Sequence, residues 1–166
     1  METTRARDER RRAIGVFDSG IGGLTVVHEL LMRLPNEDIV YLGDTARLPY
    51  GTKSPETVLR FSRENLAFLK RKNVKMIVIA CNTASSNALP RLLEEEEMPL
   101  VGVLIPGARA AARSTKSRRV GVIGTTATIR SGGYEDELYR LDRGIKIWSR
   151  ACPLFVPLVE EGWLDD

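Results

Sequence analysis

The segment at residues 74–86 most constrains the fold of this 166-residue chain. Its apolar, β-branched part, residues 76–80, is short and bounded by polar residues, which is typical of a buried parallel strand. Cys81 follows directly, and a helical pattern begins after it. Cys81 would therefore lie at the carboxyl end of a strand, the edge where open α/β sheets bind ligands. The alternative is a buried cysteine that serves only as a small hydrophobic residue.

Apolar runs alternate with helical patterns along the chain. Strands are predicted at residues 13–17, 38–42, 76–80, 100–104, 120–123 and 145–149. Helices are predicted after a cap at Ser54, at residues 82–97, from Pro106, and at residues 129–141 with an interruption or cap near Gly132 and Gly133. This alternation predicts an α/β fold with a mainly parallel sheet flanked by helices.

The loop at residues 44–53 is long and rich in side chains that bind, so it is predicted to be functional. Polar turns follow four of the strands and contain Asp18, Tyr50, Cys81 and Thr125. Because the carboxyl ends of parallel strands share one edge, we expect these turns to converge there on a small polar substrate.

A glycine-rich turn at residues 18–23 lies between the first predicted strand and a helix. That order resembles a phosphate-binding loop. The turn matches neither G-x-G-x-x-G nor a Walker motif, and the carboxylate of Asp18 would repel a phosphate. Asp18 instead favours a ligand with a cationic amine, or a general-base role. His28, the single histidine, falls inside the helix and is expected to be a surface or packing residue rather than a ligand.

Charge and composition argue against several classes of protein. The net charge is +3, and residues 1–12 contribute +2 of it, with five arginines against three carboxylates. We predict a disordered basic tail there, and the near-neutral remainder gives no sign of nucleic-acid binding. Two cysteines and one histidine are too few for a structural zinc site, so no metal is expected. No secretory signal or membrane span is expected, and a reducing, cytoplasmic setting fits best.

Several segments resemble the signatures of bacterial glutamate racemases. These are residues 16–25 (VFDSGIGGLT), 41–51 (YLGDTARLPYG), 80–85 (ACNTAS), 121–125 (GVIGT) with Ala127 and Thr128, and 151–162 (ACPLFVPLVEEG). They occur in the family's order, from about residue 14 to the last residues. On this basis the chain is identified as a member of the glutamate racemase family, within the aspartate/glutamate racemase superfamily.

The resemblance implies a cofactor-independent enzyme that interconverts L- and D-glutamate and supplies D-glutamate for peptidoglycan synthesis. It implies two thiols on opposite faces of the α-carbon, one removing the α-proton and the other delivering a proton. Cys81 matches the first thiol. The family's substrate-binding positions match Asp18, Ser19, Tyr50, Gly51, Asn82, Thr83, Thr125 and Thr128. Glutamate is the implied partner, with no nucleic acid, membrane or metal; the oligomeric state stays open, a homodimer being one option.

The family's second catalytic thiol lies in a Gly-Cys-Thr-His type of motif that this sequence does not contain. Cys152 is the only other cysteine. It lies in the Ala-Cys-Pro stretch, and we interpret it as structural. We expect a nearly complete first α/β domain at residues 13–104 and a partial second one at residues 105–166. The chain is expected to be a truncated form that racemises poorly on its own.

An ordinary thiol, with a pKa of about 8.5, is a poor base at neutral pH because it is mostly protonated. The helix that begins after Cys81 is expected to favour its thiolate through the helix dipole. Cys81 is therefore predicted to be more reactive than Cys152. Two alternatives stay open. One is a related two-thiol racemase that acts on aspartate, and the other is a catalytically impaired module that only binds glutamate.

Overall fold

The structure, a computed structural model, describes residues 11–163, so the predicted basic tail lies almost entirely outside the described part. The strands are β1 (Ile14–Asp18), β2 (Ile39–Gly43), β3 (Met76–Ile79), β4 (Leu100–Gly102), β5 (Arg119–Gly124) and β6 (Lys146–Ala151). The helices are α1 (Leu24–Arg33), α2 (Pro55–Lys70), α3 (Asn82–Asn87), α4 (Leu89–Glu95), α5 (Leu104–Ser114), α6 (Thr126–Arg130), α7 (Gly133–Leu141) and α8 (Phe155–Glu160), with a 3₁₀ turn at Tyr50–Thr52.

The strands form two separate parallel sheets. The first has the order β2-β1-β3-β4, and the second consists of β5 and β6. Phe17 of β1 lies opposite both Leu42 and Ile79, so the first three strands end at nearly the same level. The predicted parallel α/β fold is confirmed. The expectation of a single shared edge was wrong, because the turn at Thr125 follows a strand of the second sheet.

The first sheet is covered on both faces, which explains why β3, one of its two inner strands, is apolar throughout. On one face Ile77 and Ile79 pack with Phe17 and with the buried residues of α2. On the other face Val78 packs against residues of α1. Helix α2 begins as predicted, with Ser54 accepting a hydrogen bond from the backbone N–H of Thr57 and a proline in the first turn. This packing fixes the level at which β1 and β3 present their polar ends.

Two predicted helices are each divided in the structure. A single helix was predicted from residue 82 to residue 97, but α3 ends at Asn87 and α4 begins after Ala88. Pro90 lies in the first turn of α4, where its missing N–H is tolerated; inside one long helix it would break a hydrogen bond. The interruption predicted near Gly132 and Gly133 is confirmed, because Gly132, with a φ of 68°, separates α6 from α7. A left-handed φ of this kind is readily adopted only by glycine.

The fourth strand and the fifth helix also differ from their predicted bounds. The strand predicted at residues 100–104 ends at Gly102, and α5 begins at Leu104 instead of Pro106. Because proline is tolerated in the first turn of a helix, it did not mark the first helical residue here.

The second sheet is covered on one face only. Helices α5 and α7 pack against it and form a small core of Ala108, Val122, Leu138 and Ile145. On the opposite face Ile123 is 65% exposed and Trp148 is 58% exposed. Since parallel sheets are normally covered on both faces, this arrangement is that of a partial second α/β unit. The division of the chain at residues 104 and 105 stays a proposal. No helix among residues 11–163 is long and apolar enough to cross a membrane.

Candidate active site

A cavity of about 620 Å³ is lined by residues from both sheets and from α8. The turns after β1, β3 and β5 contribute to its wall. Seven of the predicted site residues line it: Asp18, Ser19, Cys81, Asn82, Thr83, Thr125 and Thr128. A cavity of this size with a few convergent polar groups is typical of a small-molecule site. The predicted convergence of polar turns therefore occurs between two sheets rather than along one.

Cys81 follows β3 and caps the amino terminus of α3. Its Sγ accepts a hydrogen bond from the backbone N–H of Ala84 at 3.4 Å and lies 3.4 Å from the hydroxyl of Ser19. Only 4% of the residue is exposed. Burial raises the pKa of the Cys81 thiol, and the negative charge of Asp18 raises it further. The contacts with Ser19 and Ala84 oppose this rise in pKa but do not reverse it.

The predicted thiolate-favouring environment of Cys81 is therefore wrong for the free protein. Helix α3 has only six residues, and the hydrogen bond from its first turn is outweighed by burial and by the nearby carboxylate. Cys152 is partly exposed and lines the same cavity, and its interpretation as a structural residue stays a prediction. Of the two thiols, Cys152 is the more accessible one in the free protein.

The carboxylate of Asp18 accepts hydrogen bonds from backbone N–H groups of its own glycine-rich turn. Its Oδ2 accepts hydrogen bonds from the backbone N–H groups of Gly20 and Gly23, at 3.1 and 3.0 Å. The residue is 7% exposed, so these bonds compensate much of the cost of burying a carboxylate. A phosphate would need the same amide groups. The structure thus explains why a strand, a glycine turn and a helix do not form a phosphate site here.

Three threonine hydroxyls form a cluster that joins the two sheets. The hydroxyl oxygen of Thr83 lies 2.9 Å from that of Thr125 and 3.2 Å from that of Thr128, and the last two are 3.0 Å apart. Thr125 also caps α6 by accepting a hydrogen bond from the backbone N–H of Thr128. Each hydroxyl can donate one hydrogen bond, so the cluster can reorient to donate to an anion in the cavity.

Tyr50 and Gly51 are the two predicted site residues that do not line the cavity. The ring of Tyr50 is 1% exposed, and its hydroxyl donates to Asp44 and accepts from Asn65. Gly51 packs against Thr125 so closely that a Cβ at this position would lie 2.3 Å from the Cβ of Thr125. Tyr50 therefore anchors the turn from inside, and the turn supports the threonine cluster through its backbone.

A network of hydrogen bonds and ion pairs around Arg47 holds the turn at Tyr50 in place. Arg47 donates to the carboxylate of Asp44 through Nε, to Glu64 through Nη1, and to the side-chain oxygen of Asn65 through Nη2. The guanidinium also lies 4.3 Å from the centre of the Phe61 ring. The sequence identified this loop as functional from its composition, but it gave no sign that its charged residues bind one another rather than a ligand.

Two site residues were not identified from the sequence. Glu160 of α8 accepts a hydrogen bond from the backbone N–H of Ile21, which ties α8 to the glycine-rich turn. Tyr134 of α7 donates a hydrogen bond to the side-chain oxygen of Asn82 at 2.6 Å. Glu160 lies within the segment at residues 151–162 that carried the family resemblance, so a signal was present. Tyr134 had no signal beyond an aromatic residue after two glycines. His28 is exposed on α1, as expected.

The described residues hold no obvious metal site. Among residues 11–163 no group of three or more His, Cys, Asp and Glu side chains is arranged to hold a metal ion. The predicted site residues that line the cavity offer a thiol, a carboxylate, hydroxyls and an amide.

A known family matches most of this chain. The family described as Asp/Glu/Hydantoin racemase matches residues 14–154, and the chain belongs to it. A glutamate racemase from Geobacter metallireducens is 57% identical over 155 residues, which are 93% of this chain and 57% of that protein.

Solved structures agree with this assignment. A glutamate racemase isoform from Bacillus anthracis superimposes with a TM-score of 0.89 at 47% identity, covering 93% of this chain and 58% of that one. The glutamate racemase from Francisella tularensis, solved in complex with D-glutamate, has a TM-score of 0.86 at 44% identity, covering 94% and 58%. The chain spans between 54% and 59% of the length of the curated relatives that it matches.

Proposed function

We propose that this chain contributes the Cys81 half of a cofactor-independent glutamate racemase site, which interconverts L- and D-glutamate. The observation that carries the proposal is Cys81 itself, a strand-end thiol on the wall of the cavity, next to Asp18 and Ser19. Relatives more than 50% identical to this chain bear the name glutamate racemase, which supports glutamate as the substrate. The product would serve peptidoglycan synthesis in the cytoplasm.

The cavity offers a complement for each charge of glutamate. The hydroxyls of the threonine cluster and the amide of Asn82 are donors suited to carboxylates. The carboxylate of Asp18 suits the α-ammonium group. Fixed donors of this kind also stabilise the negative charge that develops when the α-proton leaves, because they need no reorganisation during the reaction.

Substrate binding would also increase the fraction of Cys81 that is present as the thiolate, the form that can accept a proton. In the free protein the carboxylate of Asp18 is the second cause of the raised pKa of the Cys81 thiol. An ammonium group bound near Asp18 neutralises that charge and so favours the thiolate. The thiolate then takes the α-proton of D-glutamate, leaving a carbanion held by the donors. Racemisation further requires a proton delivered to the opposite face of the α-carbon, and the sequence does not contain the motif that carries the family's second thiol.

The proposal predicts hydrogen exchange without efficient racemisation by the 166-residue chain. Loss of a positioned acid or base typically costs about 10²–10⁴-fold in rate. In D₂O we expect D-glutamate to exchange its α-hydrogen for deuterium with retention, measured by NMR, while L-glutamate forms far more slowly. At D-glutamate concentrations far below saturation the exchange rate should keep rising with pH beyond the ordinary thiol pKa of about 8.5, because the rate then reports the free protein, in which the pKa of Cys81 is raised.

Circular dichroism on both enantiomers of glutamate and of aspartate follows racemisation and completes the test. If NMR shows exchange of the α-hydrogen of aspartate but not of glutamate, the substrate is aspartate. If glutamate binds without exchange of its α-hydrogen, the chain is a module that only binds glutamate. Rapid racemisation from both sides would contradict the one-thiol account and assign the second proton transfer to Cys152 or another group.

A further inference from the structure

Tyr134 reaches across the cavity from the second sheet's helices to the first sheet's ligand-facing turn. It begins α7, next to Gly133, and its side chain lines the cavity. Its hydroxyl donates to Oδ1 of Asn82, the first residue of α3, at 2.6 Å. The bond joins residues 52 positions apart and, like the contacts of Thr83 with Thr125 and Thr128, it connects the two halves of the site.

In the structure this bond leaves the donors of Asn82 available to a ligand. A side-chain amide has one acceptor oxygen and one NH₂ group with two donors. Tyr134 occupies the oxygen, and Nδ2 makes no hydrogen bond with any residue in the described part of the chain. Asn82 is therefore held with its donors free beside the cavity. If the amide turned over, it would present an acceptor there, which would repel a carboxylate.

The packing of α5 makes room for the Tyr134 hydroxyl. Gly107 lies on α5, and a Cβ built on it would lie 3.1 Å from the hydroxyl oxygen of Tyr134. An alanine here would crowd the oxygen and shift it from Asn82. The phenol of Tyr134 is protonated at neutral pH, and burial raises its pKa further. The glycine at position 107 thus leaves room for the hydroxyl at the amide oxygen of Asn82.

We infer that Tyr134 is a positioning residue that acts through Asn82, holding the amide so that Nδ2 donates to a carboxylate of the ligand in the cavity. The inference rests on the proposed function, in that the carboxylate is taken to be that of glutamate. It assigns Tyr134 no part in proton transfer. It predicts that the hydroxyl matters for the affinity of carboxylate ligands and not for the packing of the ring.

The test is the affinity of the full chain for D-glutamate, measured by calorimetric titration. Tyr134→Phe keeps the ring and removes the hydroxyl, and we expect it to weaken binding by roughly three- to tenfold. Gly107→Ala should weaken binding in the same direction. The matched control is Tyr139→Phe on the same helix, where the ring is 47% exposed, and it should bind like the wild type. Thermal midpoints of the two Phe variants should agree.

A double-mutant cycle separates positioning from a general structural role. If Tyr134 acts through Asn82, Tyr134→Phe should cost nothing further in an Asn82→Ala background. Additive losses, or wild-type affinity in Tyr134→Phe, would overturn the inference. If the wild-type chain binds no glutamate, the proposed function fails, and the NMR signals of the Asn82 NH₂ group still decide the positioning role. Those signals should shift in Tyr134→Phe and Gly107→Ala but not in Tyr139→Phe; unchanged signals would refute it.

Discussion

Replacing Cys81 by alanine is expected to abolish the exchange of the α-hydrogen of D-glutamate with deuterium, a loss of at least about 10²–10⁴-fold. The physical reason is that Cys81 is the one thiol adjacent to both Asp18 and Ser19, whose carboxylate and hydroxyl complete the site. The measurement is the NMR signal of the α-hydrogen in D₂O, followed for the variant and the wild type at equal concentration.

Cys152→Ala is the matched control for that experiment. Cys152 also lines the cavity, but within the described residues the hydrogen bond of its Sγ runs to the backbone oxygen of Arg150, at 3.8 Å, and not to Asp18 or Ser19. This variant should keep the exchange activity. If Cys152→Ala lost hydrogen exchange and Cys81→Ala kept it, Cys152 rather than Cys81 would be the thiol that removes the α-proton.

Arg47→Ala is expected to lower the free energy of unfolding by about 3 kcal/mol, the low end of the cost of breaking a buried ion pair. Arg47 binds the carboxylate of Asp44, whose side chain is 8% exposed, and also reaches Asn65. Removing the guanidinium leaves a buried negative charge with the hydroxyl of Tyr50 as its remaining side-chain partner among the described residues. Urea denaturation followed by circular dichroism measures the loss.

The exposed pair of Arg33 and Glu29 supplies the control. The Arg33 side chain is 79% exposed, so Arg33→Ala should cost less than about 1 kcal/mol. Equal losses in the two variants would mean that the Arg47 network contributes no more than a surface ion pair. Because the network anchors the turn that packs against Thr125, Arg47→Ala should also weaken binding of D-glutamate.

Much of the fold was predictable because its signals are local. The alternation of apolar runs and helical patterns indicated a parallel α/β fold, and the cap at Ser54 was visible in the sequence. The division of the strands into two sheets was not predictable from local patterns, because strand pairing depends on contacts between distant residues. Only the family resemblance implied two α/β domains. The break between α3 and α4 was missed because Pro90 is compatible with the first turn of a helix as well as with its end.

The site was predictable in its positions and less so in its electrostatics. The turns that contain Asp18, Cys81 and Thr125 meet as the strand ends suggested. The direction of the Cys81 pKa was wrong, because burial and the distance to Asp18 exist only in the folded chain. The inward position of Tyr50 and the bond from Tyr134 to Asn82 depend in the same way on side-chain directions that spacing does not encode.

The most direct test of glutamate binding between the two sheets is an NMR titration of the ¹⁵N-labelled wild-type chain with D-glutamate. We predict saturable shifts of the backbone amides of Ser19, Asn82 and Thr83 from the first sheet, and of Thr125 and Thr128 after the second. Shifts confined to one sheet, shifts centred on the exposed face around Trp148, or no shifts at millimolar D-glutamate would contradict the account.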